Sequence, residues 1–385
     1  MLLTKLYNEF FRSEKTGGLI LVFTTVVSLF LANSAWSQGY LHFWHIDIAG
    51  HSLVHWINDG LMTIFFLLIG LELEREMYEG ELSKIKNALL PIIAAIGGML
   101  VPAGIYMALN DGTPTQAGSG IPMATDIAFA IGILSILGSK VPGSLKIFLT
   151  ALAVFDDLGA IVVIALFYTA EISWINLLLA LAVFFLMLIL NRRKVCNMYP
   201  YLIGGAVMWY FMLHSGVHAT ITGVLLAFAI PFGTSKERSP SYKLQHALHK
   251  PVAFFILPVF ALANTAIVIR SGWQTNLLEV GSLGIILGLL VGKPLGITLF
   301  SYLATRFKVA ALPKDLRWSY VLGAGFLGGI GFTMSIFITL LAFSNSEDFA
   351  NNAKMAILIG SLLSGIAGLL WLKLKLRTDV VDTEE

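Results

Sequence analysis

Two adjacent carboxylates, Asp156 and Asp157, stand in the middle of an apolar run, Ala151-Leu-Ala-Val-Phe-Asp-Asp-Leu-Gly-Ala-Ile-Val-Val-Ile-Ala-Leu-Phe167, long enough to cross a bilayer. An Asp at the centre of a spanning helix costs roughly 2.5–3.5 kcal/mol on insertion scales, so a simple anchor would carry Leu there. Neighbouring helix residues point about 100° apart, so the two side chains cannot share one face and must do different jobs. One can look into a water-filled cavity while the other turns toward a countercharge such as Lys293, which also lies well inside an apolar run, Leu290-Val-Gly-Lys-Pro-Leu-Gly296. Acids so placed can exchange a proton near neutral pH and offer hard oxygen ligands to a small cation, Na+ or Li+. If proton and cation compete for the same oxygens, and only the neutralised site crosses between the two faces, the result is obligatory exchange.

Such chemistry needs a membrane scaffold, and the composition supplies one: 57% of the 385 residues are hydrophobic and 12% charged. Apolar runs at about 17–35, 58–73, 88–109, 121–138, 145–169, 173–190, 199–213, 217–231, 251–269, 279–303, 318–343 and 353–372 predict an all-α polytopic membrane protein of twelve transmembrane helices. Charge placement agrees with that count. With both termini cytoplasmic, every one of the 25 basic residues falls on the cytoplasmic side except Arg270, Lys354 and the intramembrane Lys293. The chain therefore reads as one membrane transporter domain: an interfacial helix over 1–16, with Leu3, Leu6, Tyr7, Phe10 and Phe11 on one face, spans over 17–374, and a disordered cytoplasmic tail over 375–385. The N-terminal apolar run is nearer span length than signal-peptide length. The outer loop at 36–56 carries aromatic and β-branched residues around Ala49-Gly50, which suggests a small extracytoplasmic β-hairpin. Its His45, His51 and His55 read as interfacial residues before they read as a metal cluster. The one cysteine, Cys196, excludes an internal disulfide.

Two spans break their own helical pattern. The fourth begins Gly118-Ser-Gly-Ile-Pro-Met-Ala-Thr-Asp126, and the eleventh contains Gly323-Ala-Gly-Phe-Leu-Gly-Gly-Ile-Gly-Phe-Thr-Met-Ser335. Unwound backbone at membrane depth survives only where it lines protein or water. Each break lies in the middle helix of a three-helix group, spans 3–5 and 10–12, and the two groups have inverted topology if the parity above holds. Broken helices that cross bring half-helix ends together, each carrying about half a unit of charge. Asp126 is placed to offset positive ends. Lys293 is placed to offset negative ends or to pair with an aspartate. Of two further border acids, Asp59 and Glu72, the interfacial reading is the simpler.

The motifs Trp56-Ile-Asn-Asp-Gly-Leu61, Ala124-Thr-Asp-Ile-Ala-Phe-Ala130, Asp156-Asp-Leu-Gly-Ala160, Ser215-Gly-Val-His-Ala-Thr220, Gly292-Lys-Pro-Leu-Gly296 and Gly328-Gly-Ile-Gly-Phe-Thr-Met-Ser335 occur in order along the whole chain. Together they resemble the NhaA family of bacterial sodium/proton antiporters. The resemblance implies that Asp157 is the principal cation ligand and proton carrier, with Asp156 beside it and paired to Lys293. It places Thr125 and Asp126 at the crossing of the broken helices. It further implies electrogenic exchange of more than one proton per Na+ or Li+, no cofactor, no nucleic acid, and a homodimer in the bacterial inner membrane helped by the hairpin. Residues tied to the pH response would be Glu72, Arg75, Glu76, His218 and His246. Well-regulated members carry an acid before that histidine, where this chain reads Leu244-Gln-His-Ala-Leu-His249; Gln245 cannot titrate. A symporter of another solute would want buried acids as well. A channel would build a ring from like subunits or repeats, and an intramembrane aspartyl protease has no evident use for Lys293 or the second broken helix.

Overall fold

The computed structural model describes every residue except 1, 81–82, 84, 170–171, 234–238, 270–271 and 382–385. Side chains at 2–15, 85–87, 139 and 378–381 are also outside the description. The charge-count residues Lys84, Lys236, Arg238 and Arg270 therefore lie outside the described residues, as do the side chains of Leu3, Leu6, Tyr7, Phe10 and Phe11.

The chain is mostly helical, and among the described residues eight helices are long and apolar enough to cross a membrane, or up to ten if each of two bent pairs is one span. Thr16–Ala32 and Ser37–Trp44 meet at 118°, and Trp318–Gly328 and Phe332–Ala342 at 47°. Two expected spans fall short of that length: Tyr199–Leu213 has 15 residues and Ile221–Ala229 has 9. At 1.5 Å per residue the second is about 13 Å long, against an apolar slab of about 30 Å. Its first turns are lost because Gly216 sits at φ 83° and the backbone stays non-helical to Thr220. Both chain ends differ from expectation in the opposite sense. Leu2–Ala32 is one unbroken helix, so the amphipathic start and first apolar run form a single element. The last helix runs from Glu347 to Val381, past the end expected near 374. Lys373, Lys375 and Arg377 lie in its final turns, where a helix's negative end favours cations.

Two compact units emerge from the packing: Met1–Val22, Lys84–Ala160 and Ile267–Glu385 form the first, and Phe23–Ser83 with Ile161–Ala266 the second. In the first, Ile85–Asn110 packs along Lys293–Arg306 through Gly97 and Gly296. A Cβ on Gly97 would lie 2.4 Å from the Gly296 carbonyl oxygen, and one on Gly296 would lie 2.1 Å from the Gly97 oxygen. Only hydrogen fits on either side of this seam, which closes one turn from Lys293. The turn before Lys293, Gly288–Gly292, is π-helical, a widening often found at functional sites.

The second unit buries an apolar cluster that includes Leu67, Leu71, Met187, Tyr201, Met208 and Leu226. The hairpin belongs here: Asp47–Ile48 pairs antiparallel with His51–Ser52. Its turn residues Ala49 and Gly50 have φ of 54° and 86°, the paired positive values that match the twist of adjoining strands. Trp56 Nε1 ties it to the next helix by donating to the Ile48 carbonyl at 2.8 Å.

Candidate functional site

The first break is built from backbone that cannot stay helical. Gln116–Met123 is a 3-10 turn containing Pro122, Ala124 and Asp126 are extended, and an α-helix resumes at Ile127. Asp126 stands at its N-cap, where Oδ1 accepts the Phe129 N–H at 3.1 Å. Its second oxygen does the same for another helix. Oδ2 accepts the Thr333 N–H at 3.1 Å and the Thr333 hydroxyl, so one carboxylate caps both Ile127–Ile136 and Phe332–Ala342. Backbone closes the junction, with the Asp126 N–H donating to the Ile330 carbonyl at 2.6 Å. Ser335 Oγ adds a bond to the Ile121 carbonyl at 2.7 Å. The carboxylate is 2% exposed, and the two positive helix ends supply the charge compensation that water cannot.

One residue earlier the chemistry reverses sign. Thr125 Oγ1 lies 2.6 Å from Asp156 Oδ2 and 2.7 Å from the carbonyl of Gly328, the last residue of Trp318–Gly328. A hydroxyl has a single proton, so it donates to one of these at a time. Lys293 Nζ donates to Thr125 Oγ1 at 3.0 Å and forms an ion pair with Asp156 Oδ2. Both ionic side chains are 0% exposed. Asp156 Oδ1 has no hydrogen-bond partner among the described residues, which leaves one carboxylate oxygen for a further ligand. Asp157 is also fully buried, on the next face of the same helix and within Coulombic reach of Lys293. Thr125, Asp126, Asp156, Asp157 and Lys293 are thus brought together.

The residues that the resemblance ties to pH belong to the second unit. Glu72 is 8% exposed and sits 3.8 Å from His249 Nδ1, while Arg75 pairs with Glu76 Oε1 at 3.1 Å. His246 is exposed, and the histidine beside Glu72 is His249. Ser241, Gln245 and His249 recur every four residues and share one face of Pro240–Pro251. Ser241 Oγ on that face donates to Glu74 Oε2 at 2.7 Å, a buried contact between Pro240–Pro251 and Met62–Glu79. His218 is half-buried, with Nε2 2.8 Å from the Tyr168 carbonyl.

Sequence reasoning missed Thr333, Glu74, Ser241 and His249. A Thr two residues past the last glycine of a break, at the start of an apolar run, was a signal for a helix N-terminus. The i, i+4 stripe from Ser241 was another. The carbonyls of Gly328 and Ile330 left no signal, because every residue has one.

A helical protein that buries a lysine–carboxylate pair beside two interrupted apolar helices is of the class of polytopic membrane proteins that handle small ions. Comparison with known proteins narrows the class: a family model described as Na+/H+ antiporter 1 matches residues 8–372, and the chain belongs to that family. It is 65% identical over 379 residues to the Na(+)/H(+) antiporter NhaA 1 of Flavobacterium johnsoniae, covering 98% of this chain and 99% of that one. Identity to the Na(+)/H(+) antiporter NhaA of Flavobacterium psychrophilum is 64% over 384 residues, covering 100% of each. A more distant relative, the Na(+)/H(+) antiporter NhaA of Vibrio campbellii, is 48% identical over 377 residues, or 97% of this chain and 96% of that protein.

Proposed function

We propose that this chain is an electrogenic antiporter of the bacterial inner membrane that exports Na+ or Li+ in exchange for more than one H+ by alternating access. The observation that carries this reading is the fully buried Lys293–Asp156 pair, with Thr125 bonded to it and Asp157 on the adjacent face. Asp157 is the cation ligand and proton carrier. Asp156 contributes its unbonded oxygen to the cation and otherwise holds Lys293. A cation drawn to these oxygens competes with both Lys293 and protons, so loading the cation releases positive charge elsewhere, and rebinding protons expels the cation. Asp126 and Thr125 keep the two breaks joined while access alternates, with the broken spans acting as equivalent members of inverted repeats built from spans 3–5 and 10–12.

The proposal extends to twelve crossings, with the short helices Tyr199–Leu213 and Ile221–Ala229 completed by flanking non-helical backbone, both termini cytoplasmic, and a homodimer. Glu72, Arg75, Glu76, His218 and His246 tune the response to pH, with His249 beside Glu72 as a further candidate.

The test uses purified protein in liposomes with an imposed pH gradient and an internal pH dye. Na+ and Li+ should each trigger proton movement, K+ should not, and Asp157→Asn should lose the response. No response to Na+ or Li+ from the wild type would overturn the reading.

A further inference from the structure

The first unit holds a small cavity of about 10 Å3 at the helix ends that the proposed topology places outside. That is room for one occupant the size of a water molecule. Its polar wall comes from Tyr106, Thr115, Glu279, Ser282 and Asn352, and the rest of the lining is apolar. Asn110, fully buried behind this wall, fixes which atoms the wall can offer. Its Nδ2 donates to the carbonyls of Tyr106 at 2.9 Å and Val280 at 3.1 Å, so its Oδ1 must accept, and the Thr115 hydroxyl donates to it at 2.6 Å. The Tyr106 hydroxyl donates to the Thr115 carbonyl at 2.7 Å. A hydroxyl has a single proton, so what Tyr106 and Thr115 have left for the cavity is a lone pair. Ser282 is 3% exposed, lines the cavity, and its hydroxyl makes no hydrogen bond among the described residues. The Asn352 amide is turned elsewhere: Nδ2 donates to Glu279 Oε2 at 3.4 Å and Oδ1 accepts Asn276 Nδ2 at 3.1 Å.

We infer that this cavity is a Na+ site built from residues other than Asp156 and Asp157, with the Glu279 carboxylate and the hydroxyl oxygens of Ser282, Tyr106 and Thr115 as its ligands. Hard oxygens carrying one negative charge suit a hard monovalent cation, which leaves the site neutral. The helix ends do not reverse that sign. Ile85–Asn110 and Phe332–Ala342 finish at this end while Val280–Leu287 and Glu347–Val381 begin there, so their dipoles offset one another and Glu279 decides the balance. The neighbouring ammonium group, Lys354, is within Coulombic reach of Glu347 and does not line the cavity. A cation held here ties the start of Val280–Leu287 to the end of Ile85–Asn110 through Glu279, Ser282 and Tyr106.

The test reads sodium NMR line broadening, which reports Na+ exchanging on and off the protein, on the purified full chain carrying Asp157→Asn, with choline chloride holding ionic strength constant. Broadening should persist in Asp157→Asn, because this cavity does not use that carboxylate. Adding Glu279→Gln should weaken Na+ binding by about tenfold or more, and adding Ser282→Ala instead by about threefold. Na+ should also raise the thermal unfolding midpoint of Asp157→Asn over its value in choline, and Glu279→Gln should remove that rise. If Glu279→Gln lowers the midpoint in choline itself, Ser282→Ala decides, and an unchanged Na+ affinity there overturns the inference. Broadening abolished by Asp157→Asn alone would mean a single Na+ site, and equal broadening with and without Glu279→Gln would mean diffuse binding or binding at Asp156; either overturns the inference. A cavity that holds water alone yields one of these two results. Loss of Na+-triggered proton movement in wild-type liposomes would overturn the antiporter reading and leave this site standing.

Discussion

The two compact units answer buried acid in different ways. In the first, Asp126 is met by two helix N-termini and Asp156 by the lysine of a fully buried ion pair. In the second, Asp59 and Glu72 are met by histidines and Glu74 by a serine hydroxyl. At Asp126 and Asp156, where water is fully excluded, the partners are backbone amides, hydroxyls and a lysine; at Asp59 and Glu72, whose side chains keep some exposure, they are imidazoles. Backbone amides and a buried ion pair hold one geometry tightly, whereas an imidazole is the side chain whose charge changes most readily near neutral pH.

The sharpest way to break this contrast is Lys293→Met, which leaves Asp156 buried without its countercharge. It should lower the stability of the purified protein by about 3–5 kcal/mol, read as a fall in the thermal unfolding midpoint. Adding Asp156→Asn should restore most of that stability; a double variant as unstable as Lys293→Met alone would show that the loss does not come from an unpaired buried charge. Next in size is Asp126→Ala, which uncaps two helices at once. At about 0.5–2 kcal/mol per cap it should cost about 1–4 kcal/mol, with Thr333→Val costing less because it removes only the hydroxyl contact. Equal thermal midpoints for wild type and Asp126→Ala would show that the junction stands on backbone bonds alone. In the second unit, Ser241→Ala deprives Glu74 of its donor and should cost about 1–3 kcal/mol. His249→Gln should be the mildest, below about 1 kcal/mol, because the 3.8 Å pair with Glu72 is long and partly solvated. If His249→Gln proved as damaging as Lys293→Met in the same unfolding assay, the contrast between the two units would collapse.

How much of this was readable in advance depended on whether a residue type announces its partner. Asp156, Asp157, Asp126 and Lys293 stood out because a charge in an apolar run has few inexpensive explanations. The breaks stood out because Gly and Pro weaken helices wherever they occur. Thr333 did not, since a hydroxyl among apolar residues is commonplace until a carboxylate 207 residues away is folded against it. The helix boundaries near Ser215 and Thr220 were equally opaque, because apolar content marks a run for burial without fixing where its backbone coils.

The glycine seam between Ile85–Asn110 and Lys293–Arg306 carries a mechanical consequence. Surfaces joined by side chains can trade one rotamer for another and so slip past each other. Here backbone meets backbone, and neither Gly97 nor Gly296 has an atom to spare. Sliding along such a weld would drive carbonyl oxygens into Cα atoms, so the two helices must travel as a single lever. Lys293 rides one turn along that lever, and its ammonium can be swung as a whole but not dragged along the axis of its neighbour.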